Sequence, residues 1–511
     1  MSKNNRNTTN VPVEVSLSRD LNLFTITMIG VGGMIGAGVF VLTGTAAGVA
    51  GPALILAFFL NGLVTTLTGM AYAELGSAFP EAGGGYLWVK EGVGGVQGFL
   101  AGWMNWFAAA IAGSLYALGF GRFASELWIM AGLPTWGLSV QQMTLVLMTL
   151  IVLFFTSVNY RGASETGKVG NIVTVAKIVI LGMFVLFGVL AMARTEAWQA
   201  RFTTGFMPNG LAGVFVAMGL TFIAFEGYEI IAQSGDEVIN PKRNVPRAIF
   251  AAIVIAVIIY LLVGVTAIGA TVAPPGMEAY EYLGQAKEVA IVEVARQVFP
   301  LGIGAVVLLI SGLVSTMSAL NAATYSSSRV SFAMGRDRNL PAFFARVHPR
   351  RHTPHLAVLA SGGLMLIIAW SLPLEDVAAS ADIMFLLLFL QVNVALLLLR
   401  RKLPNLDRGF RVPWVPAIPM AAIVCNAALA GLLFTFSPRA WYLAAGWLVV
   451  GMLSYYTYFS RVEAMERPKE ILLEEVLVSR DYSVLVPVAT EEQARILGRI
   501  GAVLALSLIH I

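Results

Sequence analysis

The chain has 511 residues, 58% of them hydrophobic and 12% charged, and a formal charge of only +4. A soluble domain carries about twice that charged fraction and fewer apolar residues. With a mean hydropathy of +0.78, the polar surface is too small to solvate a globule of this size. Soluble enzyme, nucleic-acid binder and disordered scaffold are therefore excluded as first readings, and an all-α polytopic membrane protein is expected. The single cysteine, Cys425, sits in an apolar run and reads as a small hydrophobe. Four histidines, His348, His352, His355 and His510, leave little for a metal site, so no metal and no cofactor are expected.

Residues 1–20 are polar and read as a cytoplasmic N-terminal tail. A spanning helix needs about 20 mostly apolar residues. Such runs fall at 22–49, 52–78, 95–120, 139–158, 166–192, 210–235, 246–270, 299–332, 355–372, 380–400, 417–437 and 440–460, giving twelve spans in one membrane domain over 21–461. An even number puts both termini on one side. Of the 33 Lys and Arg, only Arg122, Arg194, Arg201, Lys287, Arg296 and Arg439 fall between spans on the opposite side, which predicts cytoplasmic termini.

The first run contains Gly30, Gly32, Gly33, Gly36 and Gly38, five glycines in nine residues. Two uses are open. One is close helix packing, as between Gly32 and Gly36. The other is a broken helix whose freed N–H groups face an anion, and the glycine density favours it. Glu74 closes the second run and predicts a Lys or Arg partner rather than catalysis. Gly83-Gly84-Gly85 follows without a GxxxxGK[ST] pattern and reads as a re-entrant turn, not a phosphate loop. In the fifth run, Lys177 is a structural counter-ion, a snorkelling residue or a protonation switch.

The sixth run carries Glu226 and Glu229, three residues apart, so on a regular helix they share a face. A charge at the bilayer centre costs at least about 2.5 kcal/mol, so these acids predict a cavity, a partner or protonation. Glu229 also fits a place near the inner interface. The flawed runs are the first and the sixth. If spans 1–5 and 6–10 are two halves, the flaws correspond, as in an inverted-repeat transporter with a midplane site between discontinuous helices 1 and 6.

The loop from Gly335 to Arg350 has no metal-ligand spacing. No nucleophile elbow, kinase set or zincin motif occurs, so no enzyme is expected. From 462 the chain turns polar, then Tyr482–Val488 reads as a strand and Glu491 to about Leu504 as an amphipathic helix. One strand-helix unit cannot bury a sheet. The expectation is a cytoplasmic tail that docks on the membrane domain or opens a larger α/β domain.

Five stretches carry a resemblance: IGAGVFVLTG at 35–44, YAELGSAFPEAGGGY at 72–86, FEGYEIIAQSGDEVINPKRNVPRAI at 225–249, GRDRNLPAFFARVHPRRHTP at 335–354 and PNLDRGFRVPWVPAIP at 404–419. In this order they resemble the amino acid–polyamine–organocation superfamily, close to permeases related to cationic amino acid transporters. The resemblance implies a five-plus-five inverted repeat with two added helices. It implies that N–H groups around Gly36, Ala37 and Gly38 hold a substrate carboxylate. Carbonyls around Ala224, Phe225 and Gly227 would hold its ammonium, with Ile35 in the same pocket and Phe222 or Ile223 at an outer gate. Lys177 matches the fifth-helix lysine of proton-coupled relatives, and Glu226 and Glu229 complete the expected coupling set. The tail resembles the opening of a universal stress protein domain without its nucleotide loop.

The expected activity is secondary active transport of an amino acid across the cytoplasmic membrane by alternating access, as proton-coupled symport. Its partners are the amino acid, the proton and the lipid bilayer, with no nucleic acid. The alternatives are an exchanger and a permease-like sensor signalling through its tail.

Overall fold

The computed structural model describes residues 19–459 apart from 81–82, 163–166, 196–197 and 204. The expected strand and helix of the tail lie outside the described residues. Within them the fold is helical, with no β-strand. Hydrocarbon offers backbone groups no hydrogen-bond partner, so apolar runs of this length close their bonds as helices.

The first run is divided into α1 (Leu23–Met34), α2 (Gly38–Val41) and α3 (Thr43–Ala50), the last two joined through helical Leu42. Next come α4 (Leu54–Ala78), α5 (Gly85–Gly92), α6 (Gly95–Met130), α7 (Val140–Arg161) and α8 (Gly167–Ala193). The short α9 (Ala200–Thr203) precedes α10 (Gly210–Thr221), a single 3-10 turn at Phe222–Phe225, and α11 (Tyr228–Gln233). Then follow α12 (Pro241–Ala270), α13 (Ala279–Ala286), α14 (Ala290–Val298), α15 (Gly304–Arg336) and α16 (His355–Ser371). The series closes with α17 (Leu374–Lys402), α18 (Ala417–Phe436) and α19 (Pro438–Ser454).

Ten stretches among the described residues are long and apolar enough to cross a bilayer. The ninth and twelfth expected spans, α16 and α19, have 17 residues each. Two boundaries differ instructively. α6 runs to Met130 rather than 120, because Arg122 and Glu126 form an i,i+4 pair, 3.0 Å apart, that carries the helix onward. α17 starts at Leu374 rather than 380, with Glu375 and Asp376 in its first turn, where the helix dipole favours acids.

α6 and α15 pack along each other at the heart of the bundle. α8 turns Ile172, Val179, Leu186, Val189 and Leu190 outward, and α7 does the same with Leu150, Leu153 and Phe154. Such apolar exposure suits lipid rather than water. The chain is a multi-pass membrane protein. At the end of α17 and the connector after it, Arg400, Arg401, Lys402, Arg408 and Arg411 cluster with Lys242, joined through the pairs Lys242–Asp407, Arg400–Glu74 and Arg408–Glu74; this cluster is the basic rim.

Gly83 and Gly84, both at positive φ, turn the chain from α4 into α5, as expected for that glycine run.

Candidate functional site

The two interrupted helices meet at their interruptions. α1 ends at Met34, Ile35 leaves helical geometry (φ −76, ψ 57), and α2 begins at Gly38. On the other side Glu226 is extended (φ −86, ψ 155) and Gly227 lies at φ +124, a conformation that ends the 3-10 turn and re-aims the chain into α11. A methyl on Gly227 would sit 2.5 Å from the Met34 nitrogen, and one on Gly38 would sit 2.6 Å from Ala224 Cβ. Glycine is needed at both places because the two main chains touch there. Gly32 is used differently: its face packs on Thr174 of α8. Both uses of the glycine run are therefore present, packing at Gly32 and interruption at 35–38.

Ile35, Gly36, Ala37, Gly38, Ala224, Phe225 and Gly227 are all buried at this meeting point. Among the described residues, no backbone acceptor takes the N–H of Gly36 or Ala37. Hydroxyls from neighbouring helices pin the freed carbonyls. Tyr260 Oη of α12 lies 2.6 Å from the Met34 carbonyl and 2.7 Å from that of Ala224, so one hydroxyl proton serves both interruptions in turn. Ser315 Oγ of α15 lies 2.8 Å from the Ile35 carbonyl and 2.9 Å from that of Gly36. Lys177 is buried, with Nζ donating to the Ile35 carbonyl at 3.4 Å. A side chain held on the break does not snorkel, so that alternative falls away.

Glu229, in the first turn of α11, accepts from the Gly227 N–H at 2.6 Å. This acid is tied to the break as well as to its own helix, and it is buried. Glu226 is 3% exposed, and neither carboxyl oxygen has a hydrogen-bond partner. Both acids line a cavity with Gly33, Tyr116, Gly227 and Ser326. Because Glu226 lies in an extended segment, the two acids do not share a helix face as the spacing had predicted. Phe222 and Ile223 are buried in the 3-10 turn, and the Phe222 ring lies 6.3 Å from that of Phe389 on α17.

Three participants escaped the sequence: Tyr260, Ser315 and Asp382. Asp382 on α17 is fully buried and faces the Ile223 N–H of the 3-10 turn. Its signal was available, an acid inside an apolar run, but the span was begun at 380 and so left it at the edge. Among the described residues no group of three or more His, Cys, Asp or Glu could hold a metal. Glu74 has the basic partners expected of it, Arg400 and Arg408.

A family model described as amino acid permease matches residues 21–455. The chain is 32% identical over 459 residues to the branched-chain amino acid permease BcaP of Bacillus subtilis, covering 87% of this chain and 94% of that one. It is 30% identical, with the same coverage, to the methylthioribose transporter of Bacillus subtilis. Against cationic amino acid transporter 4 of Mus musculus it is 29% identical over 76% of this chain and 61% of that one.

Proposed function

Since the chain belongs to the amino acid permease family, and is an amino acid transporter rather than an enzyme, we propose that it works by proton-coupled symport through the paired helix interruptions. The site lies in the cytoplasmic membrane, both termini are cytoplasmic, and the two interrupted helices belong to inverted halves. The polar tail from 462 is a separate cytoplasmic segment. The N–H groups of Gly36, Ala37 and Gly38 receive the substrate carboxylate, at the start of the helical stretch running to Ala50, where the dipole favours an anion. Carbonyls around Ala224, Phe225 and Gly227, with Ile35 opposite, receive the ammonium. Phe222 and Ile223 close the outer side.

The observation that carries this reading is the contact of the two breaks, Gly38 on Ala224 and Gly227 on Met34, with the Lys177 amine on the Ile35 carbonyl. A carboxylate bound beside that amine favours its charged form, and the charged form favours the carboxylate. Binding of substrate and proton is thus mutually reinforcing, and linkage requires the reinforcement to be reciprocal. Alternating access then carries both together, with Glu226 and Glu229 completing the coupling set.

The test is uptake of radiolabelled amino acids into proteoliposomes under an imposed inward proton gradient. Wild type accumulates label above equilibrium and Lys177→Ala does not. If the gradient leaves wild-type uptake unchanged while internal amino acid stimulates it, the protein is an exchanger and symport is wrong.

A further inference from the structure

The cavity beside the two interruptions is apolar over most of its wall and polar at a few open points. α6 contributes Ala109 and Ala112, α15 contributes Ala319 and Ala322, and Ile230 and Phe385 stand alongside. Some of its polar side chains already have partners. Ser326 Oγ of α15 donates to Gln233 Oε1 of α11 at 3.3 Å, and Glu229 accepts from the Gly227 N–H. Other lining groups have none. Both carboxyl oxygens of Glu226 are unpartnered. Among the described residues, no hydrogen bond joins the Asn105 amide or the Tyr116 hydroxyl to another group. Asn105 is 2% exposed, Glu226 3% and Tyr116 8%, so bulk water does not satisfy them.

This cavity adjoins the place assigned to the charged ends of the substrate. A methyl on Gly36 would lie 3.3 Å from the Tyr116 ring and 3.3 Å from Ala319 Cβ, both on the cavity wall. Gly227 belongs to the break and to the wall alike. An amino acid gripped at Gly36 therefore extends its side chain between α6, α11 and α15. Lys177 reaches the Ile35 carbonyl at the break and is not part of this wall, so no cation among the lining residues balances Glu226. A few convergent polar groups in an apolar wall are the usual form of a small-molecule site. An aliphatic side chain placed there would bury the open groups unpaired, and a site built to hydrogen-bond its ligand rejects the analogue that cannot bond back. A merely structural acid would be closed off by donors, as Glu74 is.

We propose that Asn105, Tyr116 and Glu226 read the side chain of the transported amino acid and select one that ends in nitrogen-bound hydrogens, a carboxamide or a cationic amine, over an aliphatic one. The N–H groups of the cargo donate to the Glu226 carboxyl. The Asn105 amide and the Tyr116 hydroxyl take up what that carboxyl leaves unbonded, each able to donate and to accept. The alanines opposite leave the width that a straight side chain needs. The proposal rests on the reading above in which the interruptions grip the zwitterion, and Glu226 keeps its place in the coupling set.

The experiment titrates the purified protein with glutamine, lysine and norleucine, which is lysine without its terminal nitrogen. It reads the concentration of each that gives half-maximal thermal stabilisation. Wild type is expected to need at least about tenfold less glutamine or lysine than norleucine. Asn105→Ala is expected to shrink that ratio by about tenfold. Glu226→Gln separates the two cargos: an advantage of lysine that disappears marks a cationic side chain, and an advantage of glutamine that persists marks a carboxamide. Stabilisation of a variant by norleucine shows that the variant is folded and its interruptions intact. A wild type that responds to all three alike, or that prefers norleucine, overturns the proposal and leaves the grip on the zwitterion standing. A ratio that neither Asn105→Ala nor Glu226→Gln changes also overturns it. A wild type stabilised by no standard amino acid overturns the zwitterion reading itself, and the proposal with it.

Discussion

Two buried carboxylates set two regions of this molecule apart. At the basic rim, Glu74 is 0% exposed and every direction around it is filled. Arg400 donates from Nε at 2.8 Å and from a terminal nitrogen at 2.5 Å, and the Val412 N–H donates at 2.7 Å. Arg408 Nε lies 3.1 Å away as an ion contact without hydrogen-bond alignment. At the centre of the bundle, Glu226 is as deeply buried and has no hydrogen-bond partner. The same side chain is a closed lock in one place and an open valence in the other. Burial of an acid does not by itself mark function; burial without donors does, because that arrangement persists only if something mobile completes it.

The comparison breaks most visibly at the lock. Glu74→Ala strands Arg400 and Arg408, whose side chains are 24% and 3% exposed, and removes a partner of the Val412 N–H that ties the connector to α4. The expected cost is about 3–5 kcal/mol, read as a large fall in the thermal unfolding midpoint of purified protein. An unchanged midpoint would mean that the rim network is not structural. Gly227→Ala comes next. It forces a Cβ onto φ +124 and against the Met34 nitrogen, costing about 1–3 kcal/mol, and counterflow should fall with it. Undiminished counterflow would show that the contact between the breaks is dispensable.

Tyr260→Phe is milder and sharpens the centre. It removes the hydroxyl shared by the Met34 and Ala224 carbonyls, at about 1 kcal/mol, and should weaken amino acid binding more than it lowers the unfolding midpoint. The smallest effect belongs to Asp407→Asn. The Lys242 ammonium holds this carboxyl below its ordinary range by hydrogen bond and charge. With the folded value depressed, the contribution is present above the unfolded value and is lost as pH falls through the folded one. The pair is exposed, at 55% and 78%, and surface pairs of this kind contribute little. Asp407→Asn at neutral pH should leave the midpoint in place; a fall comparable to that of Glu74→Ala would erase the distinction between rim lock and surface pair.

Most of the architecture was legible because hydrocarbon enforces it. Apolar runs of sufficient length become helices, and glycines clustered inside one of them mark where it fails. The misjudged ends have a common cause: charge was read as the end of a helix. Arg122 and Glu126 instead pair along α6, and Glu375 and Asp376 occupy the first turn of α17. That second misjudgement moved Asp382 from the interior to the edge and hid it. Glu226 was legible as an intramembrane acid, but its separation from Glu229 was not, since spacing presumes a regular helix and Gly227 ends one. Tyr260 and Ser315 carry no sequence signal, because a hydroxyl on an apolar helix becomes informative only once the carbonyls it reaches have been freed by a break.

The central claim is that main-chain groups at two facing interruptions read both charges of a zwitterion. The direct measurement is ligand-induced thermal stabilisation of the purified protein. An amino acid that stabilises is compared with its amide, which lacks the carboxylate, and its N-acetyl derivative, which lacks the ammonium. The account predicts stabilisation by the parent and none by either derivative. Equal stabilisation by either derivative would show that the corresponding charge is not read at the breaks and would contradict it.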